Sequence, residues 1–103
     1  MLWAIYAVDK PNSGPLRAKV IDAHIQYFTD NQNVIFVSGP QQSDDASENI
    51  GSLFIINVKD RAAAEEFLHN EPLYLGGVFE TTRITRFRRG RFFNPELGDP
   101  AAN

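Results

Sequence analysis

The chain has 103 residues, 43% of them hydrophobic and 22% charged, a size at which one hydrophobic core forms and a second does not. The lack of cysteine excludes a disulfide framework, thiolate metal sites, cysteine nucleophiles and thiol redox chemistry. Thirteen acidic against ten basic residues give a formal charge of -3, so no overall positive field draws the chain onto phosphate backbones. No apolar run reaches the roughly 18 residues of a membrane span, and Asp9 follows a start too short for a signal-peptide core. A cytoplasmic protein is expected, with neither nucleic acid nor membrane as partner.

Residues 2 to 8 form an apolar run rich in aromatic and branched side chains, and Asp9-Lys10-Pro11-Asn12-Ser13-Gly14-Pro15 closes it, which predicts a strand and then a loop. From Leu16 onward, Leu16, Val20, Ala23 and Tyr27, with Ile21, Ile25 and Phe28 beside them, recur at the spacing of an amphipathic helix that ends near Asp30-Asn31. Val34 to Val37 predicts a second strand, broken at Ser38-Gly39-Pro40, and the polar residues Gln41 to Asn49 have too little apolar content to pack and predict a mobile loop. A third strand spans Ile50 to Val58. Asp60 suits a helix cap before a second helix over Ala62 to Leu68. Glu71-Pro72 stops or redirects that helix, Gly76-Gly77 turns the chain, and Val78 to Phe87 has the composition of a last strand.

Strand, helix, strand, strand, helix, strand is the split βαβ order of an α+β, ferredoxin-like fold, with a four-stranded antiparallel sheet and two helices on one face. A sheet face left to water would show alternating polar residues, yet the first strand is apolar at every position from 2 to 8 and the second from 34 to 37. No helix remains to cover that second face. A homodimer pairing sheet against sheet, a dimeric α+β barrel, is therefore expected.

Five of the ten basic residues, Arg83, Arg86, Arg88, Arg89 and Arg91, fall within nine positions and alternate with Phe87, with Phe92 and Phe93 following. Such a run serves either as a solvated strand end or as a site for an anionic partner. His24 lies on the stripe Leu16, Val20, His24, Tyr27 and so points toward the sheet. A buried histidine satisfied by a carbonyl or a tyrosine hydroxyl is one reading. The other is a proton-transfer group, whose ring a carboxylate must orient. Asp9 and Glu71 are the candidates for that carboxylate. With helix one returning at about 1.5 Å per residue and the strand rising about 3.3 Å per residue, His24 lies level with Ile5, and Asp9 is about 13 Å away along the strand. Tyr6 and Ser52 complete the candidate pocket, Tyr6 by joining an apolar body to a hydroxyl and Ser52 by opening a strand beside Gly51. No spacing of histidines and carboxylates supports a metal, and no Gly-x-Ser-x-Gly elbow is present. His69, at the end of helix two, suits that position by charge alone.

Six short segments, taken in order, are Tyr6-Ala7-Val8-Asp9-Lys10, Ala23-His24-Ile25, Ser38-Gly39-Pro40, Gly51-Ser52, Glu71-Pro72-Leu73 and Gly77-Val78-Phe79-Glu80. Together the chain resembles the YCII-related family over residues 1 to 88, leaving 89–103 as a C-terminal tail that Pro95, Gly98 and Pro100 keep irregular. The resemblance implies a ferredoxin-like dimer and a site built around a histidine and a carboxylate, here His24 and Glu71. The family usually has Asp-Pro where this chain has Glu71-Pro72, so the carboxylate is kept and its reach grows by one methylene. The implied function is that of a small enzyme without a cofactor or metal, using His24 and Glu71 for proton transfer on a small polar or lactone-like metabolite, with Tyr6, Asp9 and Ser52 binding the substrate. Lactones enter by analogy with similar folds. The alternative is a non-catalytic module that binds a metabolite or docks on an acidic partner.

Overall fold

The computed structural model describes residues 1–98. Four strands, β1 (Leu2–Asp9), β2 (Ile35–Gln42), β3 (Asn49–Asn57) and β4 (Phe79–Phe87), form one antiparallel sheet in the order β2-β3-β1-β4. Three helices, α1 (Gly14–Asp30), α2 (Arg61–His69) and the single turn α3 (Pro72–Leu75), connect them, with a 3-10 turn over Gln32–Val34. This is an α+β, ferredoxin-like arrangement, and no helix among the described residues is long and apolar enough to cross a membrane.

The two-residue period of the strands sorts the core. Trp3, Ile5 and Ala7 of β1 and Phe54 and Ile56 of β3 are buried with Ala64, Phe67 and Leu68 of α2, Leu73 of α3 and Val78. Ile5 sits between Phe54 and Ile84 in register. The alternate positions carry a second apolar band, Ala4 and Tyr6 on β1, Leu53 and Ile55 on β3, and Val37 on β2 opposite Ile55. Tyr6 and Val37 on this band are 44% and 50% exposed, so a sheet face lies open on the single chain.

Several elements differ from the sequence-based expectation, each for a local reason. Helix α1 begins at Gly14, because Pro15 fits the first helical turn, where its missing N–H has no partner to lose. Leu16 and Ile25 then face outward, and Arg17 takes an inward position. Strand β2 does not break at Gly39-Pro40 but continues to Gln42, which an edge strand tolerates because a proline there interrupts no inner ladder. Gln41 and Gln42 pair with Gly51 and Asn49, and only Ser43 to Glu48 remain as the connection. That connection is cross-tied rather than loose: Ser43 N–H donates to Glu48 O at 3.0 Å, Ala46 N–H to Ser43 O at 2.8 Å, and the Ser47 amide and hydroxyl donate to Asp45 Oδ1 at 3.0 and 2.7 Å. The bonds that reach Asp45, from the Ser47 hydroxyl foremost and then from the Ser47 amide and the Ser43 hydroxyl, lower its carboxyl from 3.8 to about 2.

Asp60 caps α2 as expected, its carboxylate accepting the Ala63 N–H at 2.8 Å. Glu71-Pro72 ends α2 and also starts α3, so the sheet carries a third, short helix besides the two expected: Pro72 takes its first position, and the Glu71 side chain accepts from Tyr74 N–H. Gly77 makes the turn into β4 at φ 76°, a backbone conformation open to glycine at no steric cost. Beyond β4, the aromatic ring of Phe92 meets Phe36 edge on at 5.7 Å, and the Arg89 guanidinium lies over both rings. Residues 99–103 of the expected tail, Pro100 among them, lie outside the described residues.

Candidate functional site

Along α1 the inward residues are Arg17, Val20, Ile21, His24, Tyr27 and Phe28, three and four apart as one helix face requires, and the N-cap Ser13 continues the row. His24 falls where the Ile5 and Phe54 pair lies, its ring centroid 6.3 Å from Phe54 and 4.4 Å from Phe28. Its Nδ1 is hydrogen-bonded to Glu71 Oε1. Glu71 is fully buried, and its other oxygen accepts the Tyr74 N–H at 3.2 Å. The side chain therefore caps α3 and holds the imidazole at once. A buried carboxylate without such partners would be strongly unfavourable. An ionised carboxylate only accepts, so His24 Nδ1 is the donor in this bond, and in the neutral ring the lone pair lies on Nε2. Nε2 has no partner among the described residues and is not sealed from solvent. Tyr27, whose hydroxyl donates to Phe67 O at 2.9 Å, has its phenol pKa raised above 10.0, by burial first and then by the negative charges of Glu71 and Glu66.

Asp9 and Ser52 form a separate group two helical turns from His24, and what joins them is Arg17. Its Nε donates to Asp9 Oδ2 at 3.0 Å, and Nη2 points to Asp9 Oδ1, Gly51 O and Ser52 Oγ at 3.3, 3.1 and 3.1 Å. The Asp9 and Arg17 side chains are only 4% and 10% exposed. The close approach of β1 and β3 makes this possible, since a Cβ at position 51 would stand 2.5 Å from Ala7 O, and only glycine fits. Tyr6 is not with either group: it lies on the open sheet face, opposite Leu53 and Arg83. Arg17 was missed in the sequence because a charged residue near a helix start reads as solvated. The signal that could have found it is its seven-residue spacing from His24, which puts both on one face.

Two clefts meet at His24. One, of about 200 Å³, runs between α1 and strands β2 and β3 and is lined by Arg17, Asn49, Ser52 and Phe54 among others. The second, of about 480 Å³, opens past Phe28, Gln32 and Pro40. A third, of about 500 Å³, lies at the start of α1 beside the 43–48 turn and reaches Arg17 but not His24. Among the described residues no group of three histidine or carboxylate side chains is placed to hold a metal ion. An imidazole with one nitrogen fixed by a buried acid and the other facing a cleft can take up or release a proton from a bound molecule.

A ferredoxin-like α+β domain with a histidine and carboxylate pair beside a small cleft is thus defined by fold and geometry. Comparison with known families matches residues 1–88 to the YCII-related domain, and the chain belongs to that family. Among solved structures, it is similar to the 5-chloro-2-hydroxyhydroquinone dehydrochlorinase (TftG) of Burkholderia phenoliruptrix AC1100, solved in complex with 2,5-dihydroxybenzoquinone. The identity is 29%, the TM-score 0.81, and the match covers 87% of this chain and 96% of that one. The C-terminal domain of the MgtC protein from Mycobacterium tuberculosis shares the fold alone, at 17% identity and a TM-score of 0.50, over 82% of this chain and 84% of that domain. No match was found among curated proteins.

Proposed function

We propose that the protein is a cofactor-independent acid/base enzyme acting on a small hydroxylated ring, with His24 as the proton-transfer group and Glu71 as the residue that holds it. The observation that carries this is the His24 ring itself, with Nδ1 committed to a fully buried carboxylate and Nε2 open to a cleft. Nε2 takes a proton from a ring hydroxyl or an enolisable carbon. The imidazolium that forms is stabilised by the Glu71 charge, and electron density released into the ring can expel a leaving group. Positioned proton transfer of this kind contributes about 10²–10⁴-fold to a rate. Likeness to a 5-chloro-2-hydroxyhydroquinone dehydrochlorinase favours hydroxylated rings over lactones as substrates.

A homodimer belongs to the same proposal. The open sheet face presents Tyr6, Leu53, Ile55 and Val37 together, an apolar band that a second copy would remove from water.

The test is to assay chlorinated hydroxyhydroquinones, enols and lactones for turnover with wild type and His24→Ala, while calorimetry follows ligand binding. Turnover that falls at least 100-fold in the variant, with binding kept, supports the enzyme. Binding without turnover in wild type would instead make the protein a metabolite-binding module.

A further inference from the structure

Asp9 and Arg17 form a buried charged pair that proton transfer at His24 does not use, and of the two it is Arg17 that lines the same cleft as His24. The Arg17 guanidinium is held in place by four hydrogen bonds, but all of them fall on Nε and Nη2. Nη1, with two N–H groups, has no acceptor among the described residues and is not closed off from solvent. The residue as a whole is 8% exposed, so the plane of the guanidinium is fixed and only this end is available to a ligand. Seven residues separate Arg17 from His24, about 10.5 Å along the helix axis, and the shared cleft of about 200 Å³ lies between them. A cavity of about 150 Å³ already holds a benzene ring.

We propose that Arg17 is a substrate-binding residue, whose Nη1 donates to an ionised oxygen on a six-membered ring while a second oxygen of that ring faces His24 Nε2. The substrate class is then an acidic hydroxylated ring, ionised at neutral pH. This rests on His24 as the reacting group only for the direction in which the ring lies. No carboxylate lines the cleft, since both Asp9 oxygens are turned to Arg17 and Glu71 lies behind the imidazole. Asp9 leaves the pair formally neutral, so selection comes from fixed N–H donors rather than from net charge. A preset donor loses no conformational freedom on binding, and a charged acceptor strengthens the bond. Ser52 adds to this, because its oxygen accepts from Nη2 and its own proton remains free to donate.

Two probes test the assignment, 2,5-dihydroxybenzoquinone and its dimethyl ether, which keeps the ring and carbonyls but cannot ionise. Calorimetry at neutral pH should show wild type binding the acidic quinone at least tenfold more tightly than the ether. The paired substitution Asp9→Asn with Arg17→Gln, which leaves no lone buried charge, should remove that preference. Arg17→Lys, which keeps the charge and its partner Asp9 but loses the fork, should weaken acidic-quinone binding about tenfold and leave ether binding unchanged. In His24→Ala the preference should persist although turnover is lost, which separates this assignment from that of the proton-transfer group. Equal affinity of wild type for the two probes, or no binding of the acidic quinone, would overturn it. So would amide shifts on quinone binding that fall at Lys10 and Ser47, in the cleft away from His24, instead of around His24 and Ser38.

Discussion

Glu71→Gln is the substitution whose consequences the structure specifies most fully. Glutamine has the same length and shape, so α3 and the core around Leu73 keep their packing. One oxygen of Glu71 faces the Tyr74 N–H and the other faces His24 Nδ1. In the amide, the oxygen must stay on Tyr74, because the opposite orientation sets two donors against each other and leaves a buried N–H unpaired, at a cost of about 1–3 kcal/mol. The NH₂ group then faces His24 and forces Nδ1 to accept. The ring proton moves to Nε2, which can no longer take a proton from a substrate. Turnover should fall at least 100-fold with binding largely kept. Stability should change little: a charge-assisted bond of about 1.5–3 kcal/mol becomes a neutral one of about 0.5–1.5 kcal/mol, a loss of about 1 kcal/mol, or about 4–8 °C in melting temperature for a domain of this size. Glu71→Ala, which also empties a buried volume, should cost about 2–5 kcal/mol. Glu71→Asp keeps the charge and should retain more turnover than Gln. The assays are steady-state kinetics, thermal melts and ¹⁵N spectra of the imidazole, which report the tautomer directly. A Gln variant with turnover within threefold of wild type and an unchanged imidazole tautomer would refute the role of Glu71 in holding the His24 tautomer.

Two further outcomes are expected. Light scattering should give twice the chain mass of 11.6 kDa, and Leu53→Glu, on the open sheet face, should yield a folded monomer; a wild-type monomer at micromolar concentration would remove the dimer. In the 43–48 turn, the Asp45 carboxyl is lowered from 3.8 to about 2, so its folded-state bonds stabilise the turn above its unfolded value and are lost as pH falls through the folded one. The Ser47 amide resonance should therefore titrate with a midpoint of about 2, and a midpoint at the ordinary value of 3.8 would contradict the bonding described.

The order of elements was legible because its signals are local: the apolar run at residues 2–8, the three-and-four spacing of α1 and the Asp60 cap each act through near neighbours. His24 was legible for the same reason, and the rise-per-residue estimate that set it level with Ile5 agrees with its place beside Phe54, the cross-strand partner of Ile5. The pairing of His24 with Glu71 came only from the family resemblance, since 47 residues separate them and no period links them. Gly39-Pro40 misled because whether proline breaks a strand depends on whether the strand is at an edge, which is a property of the sheet. Arg17 was hidden because its burial rests on three acceptors at positions 9, 51 and 52 that only the folded sheet assembles.

A crystal structure of the protein with 2,5-dihydroxybenzoquinone tests the assignment of the site most directly. The expected result is a ring oxygen at about 2.6–3.2 Å from His24 Nε2, in the cleft between α1 and β2, with His24 Nδ1 still on Glu71. A quinone seated away from that cleft, with Nε2 facing no ligand atom, would contradict it.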